Sequence, residues 1–232
     1  MQINKSVFAA LVIAVLLGCE EQSTEPRREL PAPFLIASPD DMSPAERGID
    51  AVAENNGIQL QWVQDDRFVQ ILFYRRAMDE KDFIGLASAA VEDTIYIDTN
   101  VELNKRYFYF ATGLDAQNHI GPPSDTLDYQ LVAKATNLRY LEEPNLFYWQ
   151  LTDYLPDRYI LKLYDDETNQ PVWFSQVQSS YSGLEEQVKY NWDGQSALAQ
   201  LQRQRRYRWR IDIVGPSIRS GSESDWQRFT LP

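Results

Sequence analysis

From Phe34 onward, large apolar residues recur in short runs separated by Gly, Pro, Asn and Asp. In Ile58-Gln59-Leu60-Gln61-Trp62 every second side chain is large and apolar, as a strand with one buried face requires. Phe68 to Arg75 is a more continuously apolar run, and Thr94 to Asp98 alternates again. Tyr107 to Ala111 is aromatic on both faces, and Ser124 to Val132 completes a further strand. Breaks such as Ala53 to Gly57 and Asp115 to Asn118 carry the residue types that turns favour. The pattern then returns. Phe147 to Leu151 is aromatic-rich, Tyr159, Leu161 and Leu163 alternate with Ile160 and Lys162, and Tyr207, Trp209, Ile211 and Ile213 alternate with Arg208, Arg210 and Asp212. The last predicted strand is Trp226 to Leu231. A short helical turn is predicted over Gln195 to Leu201, but no long stretch carries a 3.6-residue period. The expectation is an all-β antiparallel sandwich architecture, not a parallel α/β one.

Val101 precedes Tyr107 by six positions, and Leu201 precedes Tyr207 by the same six. The first half contains Trp62 in its second strand, Phe73-Tyr74-Arg75 ending the third, Tyr96-Ile97-Asp98-Thr99, Tyr107 to Ala111, and Gly121-Pro122-Pro123-Ser124. The second contains Trp149, Tyr207 to Asp212, and Ser222 to Trp226. On these residues both halves resemble fibronectin type III domains, the second more loosely. The resemblance implies two tandem immunoglobulin-like antiparallel β-sandwiches, spanning 34–132 and 133–232. It also implies that Trp62 packs in the core and Tyr107 pins the corner between sheets, with Trp149 and Tyr207 as structural counterparts. The stretch from Val172 to Gln200 is longer than the pattern needs, which leaves the strand count of the second half open.

Upstream of both, Val7 to Leu17 runs eleven residues without a polar side chain. That is too short to span a bilayer as a helix and fits the apolar part of an export signal. Leu16-Leu17-Gly18-Cys19 resembles the lipobox of bacterial lipoproteins, and Cys19 is the only cysteine in the chain. The resemblance implies a signal peptide at 1–18, acylation of Cys19, and membrane anchoring through its acyl chains. Residues 19–33, polar and interrupted by proline, read as a flexible tether. Glu20 follows the cysteine where enterobacterial lipoproteins retained in the inner membrane carry aspartate, so the resemblance points to the outer membrane, at its surface or its periplasmic face.

Composition narrows the function. Lys and Arg number 22 against 34 Asp and Glu, a formal charge of -12, which disfavours nucleic-acid partners. The acidity is uneven: residues 34–132 hold 17 acids and 7 bases, residues 133–232 hold 13 and 12. With one cysteine and one histidine, His119, multi-cysteine metal sites and disulfide frameworks are impossible and a cysteine–histidine dyad is thinly supplied. His119 lies in a turn and reads as a solvated residue. No nucleophile elbow, phosphate-cradling loop or His-Glu-x-x-His helix occurs. The acidic pairs Asp40-Asp41, Asp65-Asp66, Asp79-Glu80-Asp82, Glu92-Asp93 and Asp165-Asp166-Glu167 lack the alternating spacing of a calcium loop. No catalytic residue, metal or cofactor is therefore expected.

Two features remain as candidate ligand sites. Arg208 and Arg210 alternate with Tyr207 and Trp209, so their cations face outward. They could hold an acidic glycan, an acidic protein or the first domain, against the plainer reading of cross-strand ion pairs. Trp173 and Trp192 fall in less regular sequence, where an exposed indole could stack a sugar ring, against the plainer reading of core or sheet-face packing. The leading expectation is a non-catalytic, lipid-anchored cell-envelope protein acting in protein–protein interaction or scaffolding. The alternative is a carbohydrate-binding surface lipoprotein using the second domain's aromatics. The partner is an unidentified envelope or extracellular protein, or a polysaccharide.

Overall fold

The computed structural model describes residues 29–37, 42–151, 156, 158–180 and 183–232. Cys19, most of the tether and Asp40-Asp41 lie outside them. Alternation in the first half becomes β1 (Asp50–Ala51), β2 (Ile58–Gln61), β3 (Gln70–Ala77), β4 (Ile84–Ala90), β5 (Ile95–Asp98), β6 (Arg106–Leu114), β7 (Ile120–Pro123) and β8 (Leu127–Leu131). The second half forms β9 (Thr136–Leu141), β10 (Leu146–Gln150), β11 (Arg158–Asp165), β12 (Pro171–Gln178), β13 (Glu185–Lys189), β14 (Arg206–Val214), β15 (Ser220–Glu223) and β16 (Gln227–Thr230).

Both halves are sandwiches of the same topology. In the first, β1-β2-β5 faces β4-β3-β6 with β7 and β8; in the second, β9-β10-β13 faces β12-β11-β14 with β15 and β16. In each, the fourth strand pairs with the third, unlike the immunoglobulin constant arrangement, where it joins the first-strand sheet. Each sandwich closes on its own core. Ile58, Leu60, Trp62, Ile71, Phe73 and Tyr109 fill the first. Phe147, Trp149, Leu161, Trp173, Trp209 and Ile211 fill the second.

The correspondence extends to single hydrogen bonds, at an offset of 100 residues. Tyr107 and Tyr207 are buried, and their hydroxyls accept the backbone N–H of Glu102 (3.1 Å) and Gln202 (2.9 Å). That contact ties the loop entering the long penultimate strand to the core. Asn104 and Gln204, both in left-handed backbone, donate to the carbonyls of Leu131 and Leu231. Ser124 and Ser224 each accept the N–H of the residue opposite, Ala111 or Ile211, at 2.9 Å. A serine at this place lets the last strand break into two pieces without leaving the long strand's amide unpaired.

Two features depart from the sequence pattern. Gln195 to Leu201 forms bends, not a helical turn: the amide of Ala197 bonds to the Val172 carbonyl, a strand residue. That tertiary bond replaces the i to i+4 bond a helix would need. The long stretch after Val172 holds two strands, β12 and β13, joined to the penultimate strand by that bent segment.

Between the halves the four-stranded sheets meet. β15 pairs in parallel with β8 through Ser220↔Gln130 and Gly221↔Leu131, so one hydrogen-bonded sheet runs from β12 to β4. Ser222 Oγ donates to the Ala133 carbonyl at 3.0 Å, and Arg106 Nη2 donates to Ser217 Oγ at 2.6 Å. Arg219 bridges back to Asp128 at 3.0 Å.

Candidate functional site

The densest chemistry lies at this junction, on the outer face of the second module's four-stranded sheet. Alternation sends Tyr159, Leu161 and Leu163 into the core and Lys162 and Tyr164 outward; on β14 it sends Arg208, Arg210 and Asp212 outward. Yet the outward side chains of Lys162, Arg210 and Asp212 are buried, because the first module contributes Glu46 and Asp50 against them. Arg210, 2% exposed, donates to Glu46 (2.6 Å), Asp212 (2.7 Å) and Glu223 (2.5 Å). Lys162 reaches Asp212 at 2.8 Å and Glu46 at 3.3 Å. Asp50 accepts the Tyr129 hydroxyl at 2.9 Å.

Two cations thus face three carboxylates in direct contact, with Asp50 behind them. Burial, the Asp212 charge and the further charges of Glu46 and Asp50 push the Glu223 carboxyl up to about 9, against the pull of Arg210. A proton on Glu223 relieves the surplus negative charge at neutral pH. Lys162 and Arg210 are held above their ordinary values: burial works against their charge, and the surrounding carboxylates outweigh it. Every polar group here is satisfied by another protein group. The cluster joins two modules and leaves no open position for a substrate.

Beside it, Arg208 packs over the rings of Tyr164 and Trp226, each 5.0 Å to the centroid, and pairs with Asp166 at 3.3 Å. Asp166 also receives Arg206 (2.8 Å) and Arg228 (3.2 Å). Burial opposes ionisation of Asp166, but Arg208, Arg228 and Arg206 together hold it below the usual carboxylate range. Arg205 pairs with Asp165 and Glu167. Arg205, Arg206, Arg208 and Arg210 are therefore all engaged in ion pairs within the chain.

The two candidate tryptophans part company. Trp173, 1% exposed, is a core residue and not a surface platform, because β12 turns it inward against Phe147 and Tyr190. Trp192 is 57% exposed. Its indole N–H donates to Ser175 Oγ (3.0 Å), that hydroxyl donates to Asp193 (2.6 Å), and Asp193 also accepts the Trp173 indole N–H (2.9 Å). Although burial raises its carboxyl, the hydrogen bonds from Ser175, Gln195 and Trp173 keep Asp193 ionised. The chain of bonds fixes an open indole beside a cleft of about 570 Å³ that Met42, Phe174, Gln176 and Gln195 also line.

The remaining candidates are plainly placed. Trp62 and Trp149 are buried in their cores, and the Trp62 indole N–H donates to the Val91 carbonyl. His119 is exposed and contacts Asp115 at 3.0 Å. Among the described residues no group of three or more His, Cys, Asp or Glu side chains could hold a metal ion. Sequence reasoning passed over Glu46, Lys162 and Glu223. Their signal was weak: Ile160 and Lys162 stand together on a face that alternation assigns to solvent. It also passed over an outward aromatic shelf on the first module, where Tyr74 stacks on Phe110 (4.7 Å between centroids) and Phe83 meets Phe110 edge-on (4.8 Å).

No protein-family model matches this chain, and no curated protein matches it. Among solved structures, a segment of two fibronectin type III domains from chicken tenascin aligns over 79% of this chain and 95% of its own. The identity is 14% and the TM-score 0.32. The FN1–FN3 domains of chicken CNTN1 align over 79% of this chain and 65% of theirs, at 11% identity and a TM-score of 0.35. A myokine structure aligns over 43% of this chain and 94% of its own, at 13% identity and a TM-score of 0.32. At such identity the likeness concerns the fold alone. The strand order described above makes both halves fibronectin type III-like sandwiches.

Proposed function

We propose that this is a non-catalytic, lipid-anchored protein of the bacterial outer membrane, whose two fused sandwiches present binding surfaces to another envelope or extracellular protein. The observation that carries the reading is the junction: a shared sheet and a buried ion cluster make one stiff body of two modules. Two modules linked only by a short flexible segment would move independently. A stiff pair suits a protein whose surfaces must stand at fixed positions, and a tether ending in acylated Cys19 would hold that body at the membrane. The ions of the buried cluster serve that stiffness, since each is matched to a neighbour across or beside the junction.

Photo-crosslinkers placed on the exposed faces in the native cell, followed by mass spectrometry, test the reading. Capture of one defined envelope protein supports it. Specific hydrolytic turnover by the purified chain would overturn it. Palmitate labelling that disappears in Cys19→Ala tests the anchor. A second reading rests on Trp192, whose fixed, exposed indole suits a sugar ring. Glycan binding that is lost in Trp192→Ala and kept in Trp192→Phe would favour it, and silence across a broad glycan array would dismiss it.

A further inference from the structure

The continuous sheet ends in two edges, β12 in the second module and β4 in the first. The edges are equivalent in topology and opposite in treatment. β12 opens with Pro171, and the segment after β13 folds back over it: Ala197 donates to the Val172 carbonyl, while Trp192 and Asp193 engage Ser175. β4 reads Ile-Gly-Leu-Ala-Ser-Ala-Ala, with no charge and no proline. It pairs with β3 on one side and with no strand on the other, and no loop backbone bond among the described residues reaches it. Natural edge strands usually carry a charge, a proline, a bulge or a cover that prevents pairing. β4 has one such device, a bulge at Leu86, the extra residue between Ala87 opposite Phe73 and Gly85 opposite Tyr74; β12 has the same bulge at Val172 and adds the proline and the covering segment.

We infer that β4 accepts an extended segment of a partner protein as an added strand, the segment carrying basic residues at its ends and a large apolar side chain at its centre. The inference rests on the proposed binding role and names its partner class. Three observations define the occupant. Main-chain groups on the free side of β4 supply hydrogen bonds irrespective of sequence. Gly85 stands opposite Tyr74, and the space where a Cβ would sit is empty within 4 Å, so a bulky side chain on the added strand can reach the Tyr74–Phe110–Phe83 shelf. Acids bracket the strand: Glu92 and Asp93 after it, and Asp79, Glu80 and Asp82 before it, these last balanced by Lys81, by the 3.3 Å Lys105–Asp79 pair and by Arg76 over the Phe83 ring, so the trailing end carries most of the selection. Antiparallel pairing of two copies would set acidic end against acidic end, so charge selects a basic partner over a second copy.

The test titrates the full-length chain with a synthetic peptide of alternating Val and Thr around a central Tyr, with Lys-Arg at each end. Amide NMR shifts report where it sits. The expected result is saturable binding with shifts concentrated on 84–90. N-methylation of alternate peptide amides should weaken binding about tenfold or more, as the loss of even one or two hydrogen bonds predicts. Glu-Asp ends should abolish it. The combined variant Asp82→Asn, Glu92→Gln and Asp93→Asn should bind more weakly and lose salt dependence. No binding, equal binding of the N-methylated peptide, shifts centred on β12 or Trp192, or dimerisation through β4 would each overturn the inference. A cellular partner captured at another face would leave the proposed function standing while this assignment fails.

Discussion

The two modules share a strand order and differ in what they do with the outer face of the four-stranded sheet. In the first, Tyr74, Phe108, Phe110 and Arg76 lie half-exposed, with Arg76 over the Phe108 ring at 4.3 Å. In the second, the corresponding face is buried along β11 and carries the ion cluster closed by Glu46 of its neighbour. One face is a display surface and the other is a joint. The same fold supports both because a sandwich needs only its inner faces, which leaves the outer ones free to take on different work.

Breaking the joint gives the largest expected effect. Arg210→Met removes the cation that Glu46, Asp212 and Glu223 share, and should cost about 3–5 kcal/mol by leaving buried carboxylates uncompensated. Arg76→Met on the open face should cost no more than about 1 kcal/mol. Chemical denaturation of both variants checks the contrast, and equal losses would mean that the faces do not differ as described.

The same cluster gives a pH signature. The unfolded Glu223 titrates near an ordinary glutamate value and the folded one near 9, so between those limits the folded state holds a proton the unfolded state lacks. Stability contributed by Glu223 is therefore full below the unfolded value and is lost as pH rises towards 9, on the order of 1 kcal/mol per pH unit. Melting temperature should fall from pH 6 to pH 9, and Glu223→Gln should flatten that fall. An identical slope in the variant would exclude Glu223 as its source.

Glycines sharpen the comparison at its two ends. A Cβ on Gly221 would lie 2.5 Å from the Ile213 carbonyl oxygen and 3.2 Å from the Tyr129 hydroxyl, within the strand that pairs with β8. Gly221→Ala should cost about 1–3 kcal/mol and enlarge the molecule in small-angle scattering as the joint opens. Gly85→Ala meets empty space and should stay within about 0.5 kcal/mol of the parent, the smallest effect of the set.

The cores were legible because alternation is a local property. Trp62 and Tyr207 sit on runs whose period of two points them inward, whereas Tyr107, in a run aromatic on both faces, took its inward role from the family resemblance. β4 and β13 were not legible: Ile-Gly-Leu-Ala-Ser-Ala-Ala and Glu-Glu-Gln-Val-Lys hold too few large apolar residues to show an alternation, and they are strands because β3 and β10 pair with them. The irregular pattern around Trp173 leaves both core packing and a surface platform open, and its packing against Phe147 and Tyr190 decides for the core.

Side-chain periodicity and turn chemistry by themselves determined that the chain builds two antiparallel sandwiches with aromatic interiors, since each strand declares its buried face within a few residues. Which outer face is covered, which carboxyl keeps its proton and which edge stays open depend on groups far apart in the chain, such as Glu46 against Arg210. Burial of a charge is decided by the neighbour that arrives, and only the folded arrangement of both modules names that neighbour.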